Sequence, residues 1–273
     1  MTTMKAPLLQ LQDVTVQFGG LKAVSSLTFN IGEGELVGLI GPNGAGKTTV
    51  FNLITGVYRP TSGGISFAGK SVVGRRPYRI TARGIARTFQ NIRLFGSLSV
   101  YDNVRCACNM HLRHGIAHSL WRGWGFLREE TRVNHHIMEL LEIFGLAGDR
   151  DLSCRALPYG DQRRLEIVRA LATRPKLILL DEPAAGMNPT EKLELMKLIR
   201  FTQEKFGLAV MLVEHDMKVV MGICERIAVL DYGQKIAEGS PAEIRCDPKV
   251  IAAYLGKEEA AAGSGGSAAG GNP

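Results

Sequence analysis

The sequence predicts an α/β fold: a parallel sheet covered by helices, with an antiparallel β subdomain beside it and an α-helical subdomain inserted. Three observations predict it. A Gly-rich loop, Gly41-Pro-Asn-Gly-Ala-Gly-Lys-Thr48, stands between an apolar run, Glu35 to Ile40, and a helical stretch, Thr49 to Thr55, stopped by Gly56. Two further apolar runs, Leu177-Ile-Leu-Leu180 and Ala209-Val-Met-Leu-Val213, lack alternation, as strands buried on both faces do, and helical stretches follow each. From about Ser99 to Gly148 the pattern turns helical, with Ile137, Leu140, Leu141 and Phe144 at helix spacing.

Taken in order, Leu9, Leu11, Val14, Val16 and Phe18 alternate as a strand with one break. Val24 to Ile31 gives a second strand and Gly63 to Ala68 a short third, and together they read as the antiparallel sheet. The loop comes next. Its residues Gly41, Pro42, Asn43, Gly44, Ala45 and Gly46 allow a tight turn that aims backbone N–H groups at one anion. Lys47 reaches the outer phosphates of a nucleoside triphosphate, Thr48 offers a hydroxyl to Mg²⁺, and Thr49 opens the helix whose N-terminus favours negative charge. Between Val104 and His136 the pattern is weak and rich in arginine, and reads as helices with an inserted loop. Its Trp121, Trp124, Phe126 and Leu127 are expected to form a docking surface rather than catalytic machinery. At the end of the Leu177 run stand two carboxylates: Asp181, placed to hold Mg²⁺, and Glu182, placed to orient and deprotonate a water. The expected division is a core of 1–90 and 156–256, a helical subdomain of 91–155, and a disordered Ala/Gly/Ser tail of 257–273.

Composition sets limits. At 273 residues the chain can bury a large core. No apolar run approaches the ~18 residues needed to span a bilayer. The first seven residues carry no apolar export signal, and five cysteines without framework spacing suit a reducing compartment. The formal charge is +7, and between Lys70 and Arg93 there are seven Lys/Arg and no Asp or Glu. With few aromatics and no base-reading motif, this run is read as a solvated or membrane-facing surface rather than a nucleic-acid site. Cys106, Cys108, His111 and His114 are metal-ligand types, but no second pair completes a zinc site, and the two cysteines do not share a helix face.

The order of these motifs resembles that of ATP-binding cassette (ABC) ATPase subunits, over about Leu8 to Gly256. The resemblance implies a P-loop NTPase core of the ABC type that binds ATP with Mg²⁺. By that resemblance Phe18 stacks on adenine, and Gln90, in Arg87-Thr-Phe-Gln-Asn-Ile-Arg93, touches Mg²⁺ and water. Glu182 is the catalytic base, and His215, in Val213-Glu-His-Asp216, contacts the γ-phosphate. Mg²⁺ falls to Thr48, Gln90 and Asp181. Pro158, Tyr159, Gly160, Asp161 and Gln162 stand at the signature, which a subunit offers to its partner's ATP.

Finer features, among them Pro158-Tyr-Gly160, Asp181-Glu-Pro-Ala-Ala-Gly-Met-Asn-Pro189 and Pro248 to Gly256, resemble the longer-insert ATPase of bacterial branched-chain amino acid importers. The urea importer ATPase is the alternative; the lipopolysaccharide exporter ATPase and non-transport ABC ATPases stand further off. The resemblance implies a peripheral subunit on the cytoplasmic face of the inner membrane. Its expected partners are a second ATPase, two integral-membrane permease subunits and a periplasmic solute-binding protein, with no nucleic acid. The sequence departs from the usual Leu-Ser-Gly-Gly-Gln signature: Pro158 replaces the serine, Tyr159 a glycine and Asp161 the glutamine, and Asn188 stands where an aspartate is usual. Pro158 has neither hydroxyl nor N–H to offer a phosphate. A heterodimer with a partner bearing an ordinary signature is therefore expected.

Overall fold

A computed structural model describes residues 6–111 and 124–254. Trp121, the side chains of Trp124, Phe126 and Leu127, His114 and the 257–273 tail lie outside the described residues.

Two sheets form the frame. Strands β1 (Leu9–Phe18), β2 (Leu21–Ile31), β4 (Ser62–Phe67) and β5 (Lys70–Ser71) pair antiparallel in the order β2-β1-β4-β5. The second sheet runs β10-β9-β3-β8-β7-β6, with β3 (Leu36–Ile40), β6 (Ile85–Arg87), β7 (Leu177–Asp181), β8 (Ala209–Val213) and β9 (Arg226–Asp231) parallel, and β10 (Gln234–Gly239) antiparallel at one edge. Alternation explains how unbroken apolar runs serve this sheet. Val37, Leu39, Leu177, Leu179, Met211 and Val213 join the core shared with β1, β2, β4 and helix α1 (Lys47–Ile54), whereas Leu36, Ile40, Ile178, Leu180, Val210 and Leu212 join the core on the opposite face of the sheet.

The break in β1 is a bulge: the register shifts between Leu11 and Val14, and Asp13 takes φ 47° with its N–H bonded to the Thr28 hydroxyl at 3.1 Å. The helix behind the loop begins at Lys47, two residues before the start expected from its apolar pattern, because Gly46 supplies its N-cap.

On the other face lie α3 (Val100–Cys108), α4 (Trp124–Ile143), α5 (Tyr159–Leu171), α6 (Pro189–Phe206) and α7 (Met217–Ile223); the short α2 (Pro77–Thr81) precedes β6, and α8 (Pro241–Cys246) follows β10. Ile137, Leu140, Leu141 and Phe144 are all fully buried, as their spacing requires. Ser99 caps α3 by accepting from Asp102 N–H, and Asn188 with Glu191 forms a capping box on α6, which Gly207 ends at φ 58°. Cys108 packs in the core, where burial pushes its thiol up to about 11 and keeps it protonated.

Candidate nucleotide site

Strand β3 delivers the loop into a cleft of about 710 Å³. Asn43 to Thr49, Gln90, Glu182 and His215 line it, with Leu21, Lys22, Ala23 and Tyr232. Two glycines are required by close approach: at Gly41 a Cβ would lie 2.1 Å from the Leu230 carbonyl oxygen, and at Gly46 2.6 Å from that of Ala23, both at positive φ. The Gly233 N–H, bonded to the Ala45 carbonyl at 2.9 Å, ties the loop to the β9–β10 turn. Lys47 is buried, its Nζ donating to the carbonyls of Gly41 at 2.5 Å and Pro42 at 3.0 Å, so its ammonium sits across the loop. Thr48 is exposed in the cleft.

Opposite the loop, Glu182 is held from both sides. Gln90 Nε2 donates to its Oε2 at 2.9 Å, and His215 Nε2 lies 2.7 Å from its Oε1. Three segments far apart in sequence thus converge on one carboxylate. Glu182 has φ 48°, and its N–H bonds the Val213 carbonyl. Behind it, buried Glu214 accepts from Ala184 N–H at 2.8 Å and His215 N–H at 3.2 Å, fixing the loop that follows β7 to the histidine's own backbone. Burial raises the Glu214 carboxyl above its ordinary value against the pull of those N–H groups. Asp216 caps α7 and pairs with Lys192 at 2.7 Å; the Lys192 bond, opposed by slight desolvation, lowers its carboxyl.

Four residues expected to bind the nucleotide stand outside the cleft lining: Gly41 and Pro42, whose carbonyls hold Lys47, and Asp181 and Phe18. Asp181 is 4% exposed and pairs with Arg87 at 2.9 Å. The Arg87 guanidinium also donates to Asn52 and lies about equally close to the rings of Phe51 and Phe89. Phe18 is half exposed and meets Tyr58 edge to face, ring centroids 5.0 Å apart. Sequence reasoning passed over Arg87, Tyr58, Lys22 and Tyr232. The only signal for Tyr232 was an Asp-Tyr-Gly turn after an apolar run, and it is 74% exposed at the cleft rim.

At the signature, Pro158 occupies the N-cap of α5 and makes no side-chain bond to its first-turn N–H groups. Gln162 is tied back to the Leu157 carbonyl at 2.9 Å, and Asp161 pairs with Arg164 at 3.6 Å. The Tyr159 ring covers Gly186, where a Cβ would be 2.9 Å from it, and its hydroxyl accepts from Arg163 at 3.0 Å. Buried Arg163 also donates to the carbonyls of Phe89 and Gln90 and to Glu166, whose carboxylate in turn accepts from Phe89 and Arg93 N–H. The signature helix is thereby joined to the Gln90 segment. Asn188 spends its side-chain oxygen on the Glu191 N–H, as an aspartate could.

A family profile described as ABC transporter matches residues 24–185, and one described as branched-chain amino acid ATP-binding cassette transporter matches 234–260. The chain is 42% identical over 254 residues to the high-affinity branched-chain amino acid transport ATP-binding protein BraF of Pseudomonas aeruginosa, covering 93% of this chain and 100% of that protein. It is 34% identical to the lipopolysaccharide export system ATP-binding protein LptB of Escherichia coli, over 88% of this chain and 94% of that one. Among solved structures, the ADP conformation of an ATP-binding cassette of an ABC transporter superposes with TM-score 0.80 at 28% identity, covering 92% of this chain and all of that one. The chain belongs to the ABC transporter family, as an ATP-hydrolysing cassette.

Proposed function

We propose that this cassette powers an importer of branched-chain amino acids. Glu182, held between Gln90 and His215 and facing an intact phosphate loop, is the observation that carries the chemistry. Kinship at 42% identity to BraF over the whole of that protein supports the solute.

The loop N–H groups and Lys47 take the β- and γ-phosphates, Lys47 exchanging its carbonyl contacts for phosphate oxygens. Glu182 accepts a proton from the attacking water as a new P–O bond forms; the bond to the bridging oxygen breaks and ADP leaves with its electron pair. Gln90 orients Glu182 and the water, and His215 supports the charge gathering on the γ-phosphate. The Thr48 hydroxyl, the Gln90 amide oxygen and the Asp181 carboxylate are the hard oxygen donors that suit Mg²⁺, which when bound neutralises charge on the phosphates. Phe18 and Tyr58, an exposed aromatic pair outside the cleft lining, provide the face for adenine.

We assign the apolar groove between α2, α3 and α5, about 370 Å³ and lined by Val57, Ile80, Phe95, Ala107 and Met110, to a permease segment. The Gln90 segment borders it through Phe89, and Arg163 and Glu166 bind that segment's backbone, so hydrolysis and docking share one support. The altered signature argues for a heterodimer beneath two permease subunits, served by a periplasmic binding protein, on the cytoplasmic face.

A mild-detergent pull-down followed by uptake assays tests this reading. Recovery of a second cassette and two permeases, with ATP-dependent uptake of leucine, isoleucine and valine, is the expected result. Uptake of urea alone, or recovery without membrane subunits, refutes it.

A further inference from the structure

Residues 70–83 form a basic rim beside the apolar groove. Lys70, Arg75, Arg76 and Arg79 are exposed, and Arg83 is half-buried. Arg75 Nε and Arg83 Nη1 both donate to the Ser71 carbonyl, at 3.1 and 2.9 Å, which draws two guanidinium groups onto one oxygen. No Asp or Glu occurs from 70 to 93, none lines the open cleft of about 490 Å³ bounded by Ser71, Arg75, Arg76 and Arg79, and among the described residues none of the five cations makes an ion pair.

The array is held by its backbone. Val72 and Ile80 are buried on either side, and the Arg75 carbonyl passes so close to Gly56 that a Cβ there would lie 2.6 Å away. Like charges gathered on a fixed frame repel one another, and among the described residues no carboxylate pairs with them. Guanidinium forks match the oxygens of a phosphodiester. Tyr78, 57% exposed, adds a ring whose hydroxyl accepts from Arg79 at 3.1 Å, the amphipathic side chain that settles at headgroup depth.

We propose that this rim binds the phosphates of anionic lipid headgroups and holds the cassette against the bilayer. Its placement rests on the docking reading above, since α2 presents Ile80 and Thr81 to the groove and Arg76 and Arg79 to the rim. No helix among the described residues is long and apolar enough to cross a membrane, and a basic rim of this kind would add a lipid contact to the permease contact proposed for the groove.

Vesicle flotation of the purified full-length chain tests the proposal, with phosphatidylcholine vesicles against vesicles that also contain phosphatidylglycerol. The chain should float only with phosphatidylglycerol, and less as salt is raised. Arg75→Gln, Arg76→Gln and Arg79→Gln should each lower partitioning about fivefold, with the triple variant keeping the wild-type Tm and nucleotide affinity. Arg79→Lys should retain most of the binding. Three results would overturn the proposal: equal flotation on both vesicle types, unchanged flotation of the triple variant, or a Tm rise with inorganic phosphate that is not matched by vesicle binding. Preferential binding of RNA over vesicles would do so as well. The assay needs no permease, so a failed pull-down with vesicle binding retained sinks the docking reading and upholds this one.

Discussion

At the scale of single residues, the proposed catalytic roles fall to side chains whose partners the structure shows. Lys47→Ala removes the charge proposed to meet the β- and γ-phosphates, and calorimetry should show loss of tight ATP binding; wild-type affinity would contradict that role. Glu182→Gln keeps an acceptor for Gln90 but cannot take a proton, so it should stop most of the complex's ATPase activity while leaving ATP bound. In a heterodimer the matching change in the partner should cost less, because that partner's ATP faces Pro158. One lost hydrogen bond to a charged group costs about 1.5–3 kcal/mol, which is about ten- to a hundredfold in rate if felt in the transition state. Pro158→Ser should leave activity unchanged or raise it, and equal losses from the two glutamate variants would show equivalent sites. Motif order displayed the loop, Gln90, Glu182 and His215 because each is fixed by local spacing. It could not display Arg87 on Asp181 or Arg163 on the Phe89 and Gln90 carbonyls, since those contacts join residues 94 and 73–74 positions apart.

Among the elements, α5 carries the most consequence. Its buried Arg163 and Glu166 pair with each other and hold the backbone on both sides of Gln90. Arg163→Met strands the Glu166 charge and should cost about 3–5 kcal/mol of stability, with Glu166→Met on the same chain restoring much of it. Chemical denaturation measures both; an Arg163→Met variant as stable as wild type would refute the pairing. Helix α7 gives a pH test. Its cap Asp216 has a carboxyl lowered by Lys192, so the pair stabilises above the ordinary aspartate value and the benefit fades as pH falls through the lowered folded value. Asn is also a good N-cap, so Asp216→Asn should lower stability slightly at pH 7, by the ~0.2–1 kcal/mol of a surface pair, and not at all in strong acid, as denaturation at the two pH values would show. The buried strands β3, β7 and β8 were plain as apolar runs. Strands β6 and β10 were not, because Ile85–Arg87 is three residues long and Gln234–Gly239 is a largely polar edge whose pairing comes from β9. The Ile227 to Leu230 run of β9 was simply passed over.

Across the whole molecule, the parallel sheet divides two cores, and the proposed permease groove opens on the helical side. The groove between α2, α3 and α5 is open, so Ala107→Trp should fill it without unfolding the chain and should reduce co-purification of the permeases. Undiminished recovery would place the dock elsewhere, with the insert that carries Trp121, Trp124, Phe126 and Leu127 as the next candidate. The overall architecture was legible because alternate residues of unbroken apolar runs must find cover on both faces, which demands layers above and below. The groove was not, since Val57, Ile80, Phe95 and Ala107 come from separate segments and share no periodicity.

Glu182 is a non-glycine residue at φ 48°, a backbone setting in which glycine would be more comfortable by about 1–2 kcal/mol. Heat resistance and turnover therefore pull in opposite directions at this one position. A mutant library screened only for survival at high temperature should accumulate Glu182→Gly, and its winners would be inert; a library screened for growth on the imported solute should never lose the glutamate. Anyone hardening this cassette for use outside the cell would have to hold position 182 fixed and seek robustness elsewhere.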